Sequence, residues 1–305
     1  MKRRIIKQQT AYTLTLPINW IRDHNIKPKD EVDIEEESDS LIVRTKKQLK
    51  TEEVSLSLEK STFDYYRIMI ENHYLKGYDV INVTFEDEKA FSIIQQTVSN
   101  LIGFEILDQK ERFCKIGSTS LPSTEQFTTL LGRCFNILTF TQETIKEDLN
   151  KLTFQKLTEI EAQSDDVRRF LLFCERTLHK TSLTTRRDES FMHLLLERLN
   201  LIEHNYYYLY KKLSSIKQFK IRTEVKELYN QATNMFNMFK EMFHRKDLKN
   251  FAEINTLWEK IYFKEGHKLM NNCNEEESIV LYHSMHLSKL IFLISQPNFI
   301  MLKIE

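Results

Sequence analysis

Four basic side chains open the chain: Lys2, Arg3, Arg4 and Lys7. A charge run at a terminus is ordinarily solvated surface. This one leads directly into Tyr12-Thr-Leu-Thr-Leu16, whose apolar and polar residues alternate as in a half-buried strand. Basic groups so placed can neutralise phosphates and release counterions from a nucleic-acid backbone. Lys2, Arg3, Arg4 and Lys7 are therefore the candidate DNA-contacting residues, and a unit that pairs with its own copy presents two such arms on one face.

Carboxylates at four-residue spacing occur at Glu143/Glu147 and at Glu161/Asp165. On a helix each pair shares a face. Such a pair can hold a hard or borderline cation if other helices add oxygens, although solvated surface carboxylates have the same spacing. Glu161 and Asp165 are the metal candidates, for a weakly bound divalent ion; no other cofactor is expected. His283 and His286, three apart, can share a helix face, but no cysteine or carboxylate stands at ligand spacing beside them. The run Tyr206-Tyr-Tyr-Leu-Tyr210 reads as core and boundary packing, because adjacent tyrosines on a helix point in different directions. Nucleophile elbow, zinc-protease, P-loop and dinucleotide-binding patterns are all missing, so no enzymatic activity is expected.

The 305 residues suffice for two to three domains of roughly 100–150 residues each. With 44 basic and 44 acidic residues the net charge is zero, so contact with nucleic acid has to be local. Only 5 glycines and 4 prolines argue against turn-rich β-sandwiches and glycine-looped nucleotide enzymes. Cys114, Cys134, Cys174 and Cys273 form no C-x-x-C pair and read as reduced thiols. No stretch reaches the roughly 18 uncharged apolar residues of a membrane span, and the basic N-terminus lacks a signal-peptide core. A soluble, cytoplasmic protein without membrane insertion is expected.

Three regions must position these groups, and together they predict an α+β chain. Residues 1–46 hold the alternating strand, a short helix after Pro17 ended by Asn25, a turn at Pro28-Lys29-Asp30, and strands at Glu31–Ile34 and Ser40–Arg44 around an acidic tip at Glu35–Asp39. So small a unit buries little core and leaves open strand edges, which predicts a homodimer. Residues 52–118 alternate as strand Val54–Leu58, helix Phe63–Leu75 capped by Gly77, strand Val80–Phe85, helix Ala90–Leu101 closed by Gly103, and a hairpin of Phe104–Leu107 with Phe113–Ile116. Both helices should cover one sheet face. Residues 122–305 contain just Gly132 and Gly266 between Pro122 and Pro297, with apolar residues at three- and four-residue steps. This predicts a bundle of about six helices. Its breaks should fall near Thr181–Asp188, Leu213–Lys220, Arg245–Asn250 and Met270–Glu276.

Lys7 and Gln8, Tyr12–Pro17, Trp20 and Lys27–Ile34 resemble the SpoVT/AbrB swapped-hairpin DNA-binding domains, over nearly all of residues 1–46. Lys29 stands where that family usually has glycine, and the glycine or serine pair common near Gln9-Thr10 is missing. Tyr74–Ile81 and Leu101–Leu107 are similar to segments of archaeal phosphate-uptake regulators, in which an AbrB-like domain precedes a PhoU-like helical domain. That resemblance implies two three-helix bundles, each with an E-x-x-x-D pair. Glu161–Asp165 fits the first; at Glu259–Phe263 a phenylalanine stands where the aspartate belongs, so the multinuclear iron or zinc site of some PhoU proteins is not expected. The resemblance implies a dimeric DNA-binding regulator of phosphate uptake, working with a phosphate-signalling protein. The competing expectation is an interaction protein of PhoU type that modulates a transporter or sensor kinase and uses its AbrB-like part only to dimerise.

Overall fold

The computed structural model describes residues 2–37, 40–45, 51–59, 62–87, 89–181, 186–218 and 220–296. The chain divides into two compact units, Met1–Thr51 and Glu52–Glu305.

The first unit contains two antiparallel hairpins and one short helix. Strands β1 (Ile6–Gln8) and β2 (Ala11–Thr13) pair with Lys7 opposite Tyr12, and Gln9 in the turn adopts φ +50°. The predicted strand Tyr12–Leu16 therefore ends at Thr13, because β1 supplies partners for three residues only. Helix α1 (Ile18–Asp23) follows Pro17, and Asn25 closes it at φ +52°, the left-handed conformation expected of it. Lys29 adopts φ +81°, the kind of backbone for which a glycine would be unstrained. The Asp30 carboxylate accepts from the Lys27 amide at 2.8 Å and holds this turn. Strands β3 (Val32–Glu37) and β4 (Ser40–Thr45) complete the unit. The end of the predicted acidic tip, residues 38–39, lies outside the described residues.

The second unit begins with a four-stranded sheet of order β5-β6-β8-β7: β5 (Glu53–Leu58), β6 (Val80–Phe85), β8 (Phe113–Ser118) and β7 (Phe104–Lys110). β5 and β6 run parallel through the crossover helix α2 (Phe63–Leu75), which starts where the Thr62 hydroxyl accepts from the Tyr65 amide. Gly77 (φ +91°) ends α2 as expected. Helix α3 (Ala90–Ser99) links β6 to β7. Alternation buries Leu56, Leu58, Ile81, Val83, Phe85, Cys114 and Ile116 on one face, against Ile70 and Tyr74 of α2 and Ile94 of α3. Both helices thus cover the same face.

Ser123 and Gln126 form a capping box that starts helix α4 (Thr124–Lys151). α5 (Leu157–Lys180), α6 (Arg186–Ser214) and α7 (Thr223–Arg245) follow. A bent pass then comprises α8 (Phe251–Glu259), a π-helical turn (Lys260–Glu265) and α9 (Gly266–Met270), before α10 (Glu275–Ser295). Three of the predicted breaks are present, and the first opens where Thr181 turns extended after α5, with residues 182–185 outside the described residues. A further one, residues 152–156, comes with Leu152 at φ +56° and carries no glycine or proline to announce it. The helices form two three-helix groups, α4–α6 and α7–α10, fused through α4 against α7 and α6 against α10 into one apolar core. α10 is long and apolar enough to cross a membrane by composition, but 56% of its apolar window is buried within the bundle, as in a core helix.

Candidate nucleic-acid interface and polar clusters

Lys2, Arg3, Arg4 and Lys7 are all exposed, the first three ahead of β1 and Lys7 within it. Directly cross-strand residues share a sheet face. Lys7 therefore shares its face with Tyr12, which is 70% exposed. A cation beside an exposed aromatic ring suits a phosphate backbone with a neighbouring base or sugar.

Among the described residues of this unit none is buried. Ile5, Ile6, Tyr12, Leu14, Ile18, Ile34 and Leu41 are each between 48% and 70% exposed. So many large apolar groups in one short segment exceed the scattered exposure normal for a surface. The sequence foresaw a small core; the described side chains of this unit enclose none within one chain.

In the bundle, Glu161 and Asp165 lie one turn apart on α5. The Tyr207 hydroxyl donates to Glu161 Oε1 at 3.2 Å. Burial, with the charges of Glu161 and Asp166, pushes the Asp165 carboxyl up. Facing them from α6 is a third carboxyl that the spacing does not reveal. Glu203 is 4% exposed, and burial raises its carboxyl to about 7, against a lowering by the Ser164 hydrogen bond and with a smaller push upward from the Asp165 charge. Its Oε2 has no hydrogen-bond partner among the described residues, and His204 Nε2 lies 3.6 Å away. In the second helical group Glu259 ends α8, and Phe263 sits 56% exposed in the π-helical turn beside Trp258 and Tyr262. Glu143 and Glu147 are surface groups paired with Lys146 and Lys151 at 3.6 and 3.7 Å.

His283 and His286 do share a face, and both aim Nδ1 at Asn205 Oδ1, at 2.9 and 3.2 Å. Burial drives His283 down to about 4. Cys114, Cys134 and Cys174 are buried free thiols, with Cys134 pushed up to about 12 by burial; Cys273 is half-buried. Tyr206 and Tyr210 are buried while Tyr208 is 54% exposed, the division expected of adjacent helical tyrosines.

One further cluster lies where α5 meets α6. Glu175, His179 and His193 bring one ligand atom each to within 4.8 Å of one another. Its signature, E-x-x-x-H at 175–179 and again at 189–193, is visible in the sequence only when carboxylate–histidine spacing is searched, not histidine pairs alone.

Residues 9–51 match the sequence profile of MazE, the bacterial antitoxin family described as antidote–toxin recognition. That span is a MazE/AbrB-like domain, in agreement with the resemblance read over residues 1–46, and it begins just after the basic arm. No curated protein and no solved structure matches the chain.

Proposed function

We propose that the protein is a DNA-binding transcriptional regulator that dimerises through its N-terminal unit. The observation that carries this reading is the pairing of a MazE/AbrB-like domain with an exposed basic arm on a unit that buries none of its own described residues. A second copy covers the exposed apolar side chains, and the two arms then contribute eight cationic groups, four from each chain. Their counterion release gives a slope of log affinity against log salt of up to about −7.

The helical region is the responding part. Its six-pass bundle, with the similarity of Tyr74–Ile81 and Leu101–Leu107 to phosphate-uptake regulators, supports control of phosphate uptake through a phosphate-signalling partner. The protein carries out this role in the cytoplasm, without catalysis. A second reading is favoured by the same exposed apolar groups: the N-terminal unit engages a different protein, as the printed description of the matching family suggests. Fluorescence anisotropy on random-sequence duplex DNA over a salt series separates them. A steep salt slope supports the regulator, and salt-insensitive or negligible binding supports the protein-recognition reading.

A further inference from the structure

Where α5 packs on α6, two E-x-x-x-H motifs face each other. Glu175 and His179 stand one turn apart on α5, and Glu189 and His193 one turn apart on α6. Residues four apart on a helix lie on the same face. The hairpin therefore places two carboxylates and two imidazoles at one level of the interface.

Three donors converge: one ligand atom each of Glu175, His179 and His193 lies within 4.8 Å of the others, while Glu189 flanks the opposite nitrogen of the His193 ring. His193 Nδ1 lies 2.5 Å from Glu175 Oε2, and its Nε2 lies 4.0 Å from Glu189 Oε1. The His179 and His193 rings are 4.7 Å apart between centroids. In a tetrahedral site with metal–ligand bonds of about 2.0–2.2 Å, donor atoms stand roughly 3.3–3.6 Å apart. Small rotamer adjustments of flexible side chains therefore bring these donors into range.

We propose that Glu175, His179 and His193 form a mononuclear binding site for a borderline divalent transition-metal ion of the Zn²⁺ class, with water in the fourth position. Mixed imidazole and carboxylate donors suit Zn²⁺, Co²⁺ or Ni²⁺, whereas Mg²⁺ and Ca²⁺ prefer all-oxygen shells. A structural ion pair accounts for Glu175 and His193 alone. It leaves unexplained why a second imidazole is brought against the first, where two protonated rings would repel. His179 is exposed, which gives an ion a path to the site. Glu161 and Asp165 belong to a different stretch of α5, and the proposal is independent of them and of DNA binding.

The test uses the full chain, stripped with chelator and titrated with Zn²⁺ by calorimetry and with Co²⁺ by visible absorption. One saturating equivalent per chain is expected, with the intense visible bands of four-coordinate Co²⁺. His179→Ala and His193→Ala should each weaken Zn²⁺ binding more than the roughly 10–100-fold that loss of an outer-shell partner costs. Glu161→Gln/Asp165→Asn should leave that equivalent in place. Zn²⁺ should raise the melting temperature of the wild type and not of His179→Ala. No saturable binding, a pale six-coordinate Co²⁺ spectrum in the wild type, or full affinity in both histidine variants overturns the proposal. The wild-type Co²⁺ spectrum decides the matter even if a variant misfolds.

Discussion

Arg176 donates to Asp79 across the seam between the bundle and the sheet layer, at 3.0 Å from Nη2 to Oδ1. The same guanidinium donates to the carbonyls of Tyr74 and Tyr78 at 2.7 and 2.9 Å and lies over the Tyr74 and Phe104 rings. Asp79 also accepts from Lys180 Nζ at 2.9 Å and from the Glu52 amide at 3.1 Å. Arg176 is 2% exposed, so a buried charge is satisfied by parts of the sheet layer that α5 alone does not possess. Beside it Arg168 donates to both oxygens of Glu71 on α2 at 2.6 Å. These contacts tie α5 to the sheet layer within the single compact unit of residues 52–305.

Removing Arg176 leaves Asp79 its Lys180 partner but takes the side-chain donor from the carbonyls of Tyr74 and Tyr78 and leaves a cavity under the Tyr74 and Phe104 rings. Arg176→Ala should therefore destabilise the protein by roughly 2 kcal/mol or more. Arg176→Lys should cost less, since Lys keeps a charge but not the forked donors. Urea denaturation followed by circular dichroism measures both. A loss below about 1 kcal/mol for Arg176→Ala would show that the seam does not depend on this side chain.

Glu203 gives a pH dependence of defined sign. Its folded-state value of about 7 exceeds the ordinary 4.5, so the folded protein holds the extra proton between those values. Stability from this group is full below pH 4.5 and is lost as the pH rises through about 7. Glu203→Gln, which keeps the shape without the charge, should stabilise the protein at pH 8 by about 2–3 kcal/mol and matter little at pH 4. Equal effects at both pH values would refute the buried-carboxyl assignment.

The N-terminal unit should hold the protein as a dimer at micromolar concentration. Ile18→Asp or Leu14→Asp places a charge on side chains that are 57% and 48% exposed in one chain and that the proposed dimer would cover. Either variant should shift the sedimentation mass of the full chain towards the monomer. A wild type that is already monomeric, or variants that remain dimeric, would locate the association elsewhere.

The middle layer was legible in the sequence almost residue by residue. Phe63–Leu75 and Val80–Phe85 come out with the predicted bounds, because Gly77 and Gly103 mark the turns and alternation marks the buried face. Bundle breaks with polar linkers were equally visible. The turn after Lys151 was not, since Leu152 takes a left-handed conformation without the usual glycine or asparagine. Likewise β1 lacks alternation strong enough to announce a strand and is defined by its partner β2. Of the candidate sites, the basic arm and the Glu161/Asp165 pair are visible from spacing. Glu203, Arg176 and the Glu175–His193 contact are not, because each depends on which helix faces α5 or which layer covers it.

The central claim is that the basic arm binds DNA. The most direct measurement is the salt dependence of duplex DNA binding for the wild type and for Lys2→Ala/Arg3→Ala/Arg4→Ala/Lys7→Ala. The account predicts tight, steeply salt-dependent binding by the wild type, and in the variant an affinity lower by orders of magnitude with a flattened slope. Unchanged affinity and slope in a variant that remains folded and dimeric would contradict it.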